Sequence, residues 1–239
     1  INMPTARFYN EASHGVTLYN GSPDKKITLT SSPYDWLEAS FFYTSIPDRA
    51  YCSSDFDEVC SQSYKDKGFN FKIRLKEEGL LPAVAIGIND IAGTGLYSSE
   101  YIVGSYGINK LDFHFGLGWG ALNGSKNSFK NPLIYVSDNF EDRPDDNVGY
   151  IYGDKGGAFH PSRYFSGSEV SPFLGLAYAP NNKLIIKAEY DSTLTPGLVG
   201  YEDPKSEFSF GLDYKINRNF SLGFSAERDN YLSIRFIYK

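Results

Sequence analysis

The chain is dominated by apolar and polar positions that alternate one by one, not by a helical repeat. Phe69, Phe71, Ile73 and Leu75 alternate with Asn70, Lys72, Arg74 and Lys76. Leu111, Phe113, Phe115, Leu117 and Trp119 alternate with Asp112, His114, Gly116 and Gly118. The same period recurs at Leu184 to Asp191, Phe208 to Tyr214, Phe220 to Glu227 and Leu232 to Tyr238. Successive side chains of a strand point to opposite faces, so each segment has one greasy face and one charged or small face. The pattern predicts about twelve strands, at 14–21, 24–33, 35–46, 67–78, 81–92, 97–108, 110–122, 171–180, 182–193, 206–216, 218–228 and 231–239.

Alternation alone fits a soluble sandwich with the greasy face inward or a membrane barrel with it outward. Length and connections favour the barrel. Most predicted strands are near the 9–11 residues that a tilted strand needs to cross a bilayer. Short turns at Glu77-Glu78-Gly79, Ile108-Asn109-Lys110, Pro180-Asn181-Asn182 and Ile216 to Asn219 alternate with longer loops at about 47–66, 93–96, 123–170 and 194–205. Short turns on one side and long loops on the other are the outer-membrane arrangement. The expected fold is therefore all-β: a transmembrane, antiparallel, up-and-down barrel of about twelve strands and a single domain over 1–239. Residues 1–13 are expected as a periplasmic N-terminal segment, and 123–170 as an extracellular or plug loop. The closing aromatics Phe236 and Tyr238 have the form of a C-terminal assembly signal, from which Lys239 departs.

Composition narrows the function classes. The 239 residues carry 29 acidic and 23 basic side chains, a formal net charge of -6, with no Lys/Arg-dense run, which argues against a nucleic-acid partner. No apolar run approaches the ~18 residues of a transmembrane helix. Aromatic residues make up 16%, with 19 Tyr and 18 Phe, as suits strands with aromatic girdles. Cys52 and Cys60 share one polar stretch and can close a small ring in an oxidising compartment; the plain alternative is two free thiols. Two thiols without a neighbouring His do not make a zinc site, and no metal or cofactor is expected.

The candidate chemistry lies on the polar face. Gly116, Gly118 and Gly120 read as room inside the barrel rather than as a phosphate cradle. The three histidines, His14, His114 and His160, have no nearby serine in sequence that suggests acyl transfer, and no enzyme is expected. Lumen-facing charges of both signs suggest a salt-bridge network across a narrow barrel, or a polar path for an anionic or hydroxyl-rich sugar chain. The candidate ligand-binding residues are Lys72, Arg74, Lys76, Glu100, Lys187, Glu189, Asp191 and Arg235. The expected partners are outer-membrane lipid, an anionic polysaccharide, and other secretion or scaffold proteins.

Several stretches carry a family resemblance. They are Ile1 to Arg7, Leu81 to Gly87 leading into Asp90-Ile91-Ala92-Gly93-Thr94-Gly95, Ser99-Glu100-Tyr101, Gly116-Leu117-Gly118-Trp119-Gly120, and Ala188-Glu189-Tyr190-Asp191. In this order the set resembles the YjbH-type exopolysaccharide-biosynthesis proteins of the bacterial outer membrane. The resemblance implies a barrel that assists exopolysaccharide secretion or surface attachment. Alternatives are a scaffold barrel with an occluded lumen and a narrow diffusion porin. Family members are typically longer, with a second, similar barrel region. The resemblance supplies no catalytic residues, and the cysteine pair is not part of it.

Overall fold

The computed structural model describes residues 1–21, 24–50, 62–93, 95–144, 161–194, 204–229 and 231–239. The strands are Ser13–Asn20 (β1), Lys25–Tyr34 (β2), Leu37–Ala50 (β3), Ser63–Lys76 (β4), Ala83–Ile91 (β5), Ser99–Ile108 (β6), Leu111–Gly120 (β7), the short Phe129–Lys130 (β8), Glu169–Asn181 (β9), Leu184–Tyr190 (β10), Phe208–Lys215 (β11), Phe220–Glu227 (β12) and Tyr231–Tyr238 (β13). Twelve of them, all but β8, pair antiparallel with their neighbours in one ring. The first and last close it, from Val16 opposite Tyr238 to Asn20 opposite Ile234. All twelve expected strands are present. β3 and β4 run further than their alternation suggested, so they extend past the ends of most other strands.

Exposure decides which face meets water. Leu75 is 57% exposed, Phe210 57% and Phe236 50%, whereas Ser105 is fully buried and Glu227 is 5% exposed. A soluble sandwich would show the reverse. The apolar faces point outward around the ring, which is stable only against hydrocarbon, so the barrel is built to span a membrane. No helix among the described residues is long and apolar enough to cross a membrane; the strands do so instead. Closure also removes every unpaired strand edge, which hydrocarbon would penalise heavily.

The interior is tightly fitted. A Cβ on Gly116 would lie 2.3 Å from Phe173 Cζ, and one on Gly87 would lie 2.2 Å from Tyr101 Cζ. The glycines of β7 thus make room for neighbouring side chains. The apolar core consists of Met3, Ala6, Ala83, Ala85, Tyr101, Val103, Leu122 and Phe173.

Two members of that core, Met3 and Ala6, correct the expectation for the N-terminal segment. Residues 1–8 do not lie beyond the barrel; they thread its lumen as a strap. The Asn2 amide donates to Asp191 (2.9 Å) and Glu227 (3.0 Å), and the Ala6 N–H donates to Ser105 Oγ (2.8 Å). Arg7 forks onto Asp112 at 2.6 and 2.9 Å and pairs with Glu78 in the β4–β5 turn. The strap therefore runs from the long-loop ends of β10 and β12, where Asn2 is held, down to the short-turn end.

Candidate functional site: a strapped lumen and the chamber above it

The lower half of the lumen, toward the short turns, is filled and electrically paired. Lys72 Nζ sits 2.7 Å from Glu38 and donates to the Arg7 carbonyl at 2.6 Å. Phe8 of the strap takes two cations at its ring, with Lys72 Nζ 4.4 Å and the Arg74 guanidinium 4.6 Å from the centroid. Arg74 also pairs with Glu77 at 3.3 Å. Glu189 accepts the N–H groups of Asn2 (2.8 Å) and Met3 (3.2 Å). Asp213 holds two cations, Lys187 at 2.5 Å and Arg235 at 3.1 Å. Higher up, just past the long-loop end of β10, Asp191 accepts from Asn2, from the Ser209 hydroxyl (2.8 Å) and from the Thr193 N–H (2.9 Å).

Six of the eight candidate residues thus face the lumen: Lys72, Arg74, Lys187, Glu189, Asp191 and Arg235. Lys76 is exposed at the end of β4. Glu100 lies on the other face. Its neighbours Ser99 and Tyr101 line lumen cavities, so Glu100 points outward with Ile102, which is exposed at the barrel surface. There it is fully buried by the long β7–β9 connection. Arg143 grips both carboxylate oxygens, at 2.7 and 2.9 Å, and the Phe165 N–H adds a third bond at 2.9 Å. Trp119, opposite Glu100 in register, packs edge-on against Phe165 with ring centroids 5.2 Å apart. The described part of the loop that carries Arg143 and Phe165 clamps the outer rim. Arg143 stands out in sequence only as a lone cation after Glu141 and Asp142, and Arg7 and Asn2 carry no periodic signal at all.

Above the strap the lumen opens into a chamber of about 340 Å³. Its lining includes Tyr19, Phe42, Tyr97 and Tyr231 as aromatic wall, with Asn70, Asn89, Asp24, Lys26, Glu227 and Arg228 as polar groups. Residues of five connections at the long-loop end contribute, among them Asp24, Tyr97, Leu122, Thr193 and Arg228, so the chamber faces that end. Tyr97, in the β5–β6 connection, donates to Asp24 at 2.7 Å, and Lys26 Nζ lies 3.9 Å from its ring centroid. Burial, and then the Asp24 charge, push the Tyr97 phenol above its ordinary range, so it stays a neutral donor.

The strap's own charges are held firmly. Asp112, and then Glu78, keep Arg7 above its already high ordinary value. Arg7, and then the Gly107 N–H, hold the Glu78 carboxyl below the usual glutamate range.

One lumen string has the composition of an acyl-transfer triad: Ser105 Oγ lies 2.8 Å from His114 Nδ1, and His114 Nε2 lies 3.6 Å from Asp112. The string is closed to substrate. Ser105 is fully buried and its oxygen already accepts the Ala6 N–H, while Asp112 is bound by Arg7. Cys52, Cys60 and His160 lie outside the described residues, so the cysteine ring expected between the first two is not addressed by the structure. No cluster of metal ligands occurs among the described residues.

An outward greasy belt around a polar, strap-filled lumen defines a membrane β-barrel. The particular group follows from the sequence. The family model for YjbH, "Exopolysaccharide biosynthesis protein YbjH", matches residues 1–239, and the chain belongs to that family. It is 34% identical over 235 residues to the "Uncharacterized lipoprotein YjbH" of Escherichia coli (strain K12), covering 96% of this chain and 32% of that protein. The chain thus spans about a third of the length of that relative. Among solved structures, the NanC porin is similar at a TM-score of 0.47 and 11% identity, over 95% of this chain and 100% of that one. A Rhodopseudomonas blastica porin mutant is similar at a TM-score of 0.33 and 11% identity, over 90% and 55%.

Proposed function

We propose that this chain forms an outer-membrane barrel that assists exopolysaccharide secretion or surface attachment, and that it does so by holding the polymer at its long-loop face, without covalent chemistry. The family supplies the polymer class. The observation that carries the mode is the strap: residues 1–8 fill the lower lumen with satisfied polar contacts, which leaves no through-path for a sugar chain. The same occlusion favours, as a second reading, a scaffold barrel that docks a partner protein. It weighs against a diffusion porin.

Planar-bilayer recording of the folded protein, with and without its exopolysaccharide, tests this reading. The expected result is no steady conductance from the native chain, together with retention of labelled polymer by the barrel. Replacing Asn2 with Asp and Arg7 with Glu sets the strap against Asp191, Glu227, Asp112 and Glu78, and is expected to open a conductance. A steady native conductance that polymer blocks would overturn the surface mode and establish a path through the lumen. Loss of polymer retention with a closed native lumen would favour the scaffold.

A further inference from the structure

The outer wall changes character toward the long loops on one side of the ring. On β2, β3 and β4, Lys26, Phe42 and Asn70 face the lumen, so residues of the other parity point outward. Register stacks these outward residues in rows that cross the three strands. One row is Leu29, Phe41 and Phe69, fully apolar, with the two phenylalanine rings 5.4 Å apart. The row above it is Ile27, Tyr43 and Lys67, and the next, at the long-loop end, is Lys25, Ser45 and Lys65. All three lysines are exposed. Successive rows are about 7 Å apart along the strands, so within about 14 Å the wall passes from hydrocarbon through a tyrosine to cations.

These lysines differ from those of the lumen. Lys72 has Glu38, Lys187 has Asp213 and Lys26 has Asp24. Lys25, Lys65 and Lys67 have no ion-pair partner among the described residues. The outward faces of β1 to β4 present no carboxylate there either; Asp66, between the two lysines of β4, is turned inward and buried. No other strand of the ring turns a described basic side chain outward at this end. Solvation alone would spread cations around the rim. Here Lys25 and Lys65 stand about 10 Å apart across β3, and Lys65 and Lys67 about 7 Å apart along β4. Like charges this close make a local positive potential that draws an anion.

The wall beneath decides the class of anion. A soluble anion needs the lysines alone. These cap an apolar surface continuous with the lipid-facing belt, so the matching ligand has phosphate at the headgroup and acyl chains below it. Three cations outnumber the single phosphate of an ordinary phospholipid, and a lipid with two phosphates answers them better. We infer that the outer wall of β2 to β4 is a docking surface for a bisphosphorylated glycolipid of the outer leaflet, its phosphates on Lys25, Lys65 and Lys67 and its chains on Leu29, Phe41 and Phe69. This rests on the outer-membrane placement proposed above and not on how polymer is held.

The test is native mass spectrometry of the detergent-folded barrel with bisphosphorylated lipid A, its dephosphorylated form, phosphatidylglycerol and inorganic pyrophosphate. Bisphosphorylated lipid A is expected to be retained in preference to the other three, and less well as salt is raised. Lys25→Gln, Lys65→Gln and Lys67→Gln are each expected to weaken retention about fivefold, and the three together about a hundredfold. Changing Lys76, Lys183 and Lys215 to Gln, all exposed toward the short turns, is expected to leave it unchanged. Heat-modifiable gel migration checks that each variant is folded. Equal retention of the dephosphorylated form, or retention that the long-loop triple variant leaves intact or that both triple variants lose alike, would overturn the inference. Phosphatidylglycerol held as tightly as lipid A would remove the two-phosphate assignment, and pyrophosphate held as tightly would make this a site for soluble anions. A barrel that inserts into vesicles yet retains no lipid A sinks the docking surface while the membrane placement stands. A folded chain that enters no bilayer sinks both.

Discussion

The two halves of the lumen are walled by the same twelve strands with the same alternation, yet they are filled differently. Toward the short turns, the strap supplies backbone N–H groups, a carbonyl and a guanidinium, and the wall answers each: Glu189 for Asn2 and Met3, Ser105 for Ala6, Asp112 and Glu78 for Arg7, Lys72 for the Arg7 carbonyl. Toward the long loops, beyond Asn2 and its partners Asp191 and Glu227, the wall turns aromatic, with Tyr19, Tyr97 and Tyr231 around the chamber. The lower half is a finished core made of polar parts. The upper half is an open chamber with aromatic walls. Lumen charge by itself therefore does not mark a binding surface, because the wall and the strap answer most of it.

The comparison can be broken first at the rim that supports the upper half. Arg143→Ala leaves Glu100 fully buried without its cation, with only the Phe165 N–H still bonded to it, and is expected to cost about 3–5 kcal/mol, read as a fall in the thermal unfolding midpoint. A Glu100→Gln change in the same chain should recover part of it. Next comes the lower half. Lys72→Met strands Glu38 beside the strap and is expected to cost about 2–4 kcal/mol, less because both side chains retain some solvent. Replacing Glu38 by Leu as well should return most of the loss. If the double variant stays as weak as the single, the pair is not what holds this half.

A smaller, pH-dependent effect sharpens the same point. Glu78 has a lowered pKa in the folded state, so its pairing with Arg7 stabilises fully above the ordinary glutamate value and is lost as pH falls through the lowered one. Thermal midpoints of wild type and Glu78→Gln should therefore differ near neutral pH and converge as the pH falls below the lowered value. Convergence on the alkaline side instead would show that another group holds the strap. Smallest of all, Lys76→Ala is expected to change stability by less than about 0.5 kcal/mol and to leave polymer retention unchanged, because this side chain is exposed at the strand end.

The same contrast explains what the sequence made legible. A period of two is set by the backbone itself, so twelve strands and their greasy faces could be placed from Phe69, Phe113, Phe210 and their like. Alternation alone left open which face met water, since both arrangements share that period; strand length and the alternation of short turns with long loops pointed to the barrel, and the outward exposure of those rings agrees. Lys72, Lys187 and Arg235 were placed on the lumen face by alternation, but their partners lie on the next strand or the one after it, with Glu38 directly opposite Lys72, and the register that brings them together is not a local pattern. Glu100 was misplaced because a carboxylate on the outer face violates the expected polarity unless a loop covers it, and Arg143 is 43 residues away. The strap escaped for the simplest reason: eight residues without a repeat look the same inside a barrel as outside it.

The rim clamp has one more consequence. Glu100 and Arg143 stand on the outer wall, on the same strand face as Ile102, one outward position above it. Hydrocarbon cannot rise past a charged pair and the loop that shelters it. On the side of β6, β7 and β9 the lipid boundary is thus drawn by the protein, at the level of Ile102. A bilayer whose apolar slab is thicker than the belt below that mark must thin against this wall or let the barrel lean. The protein carries its own waterline, and that fixes how high the chamber mouth stands above the membrane.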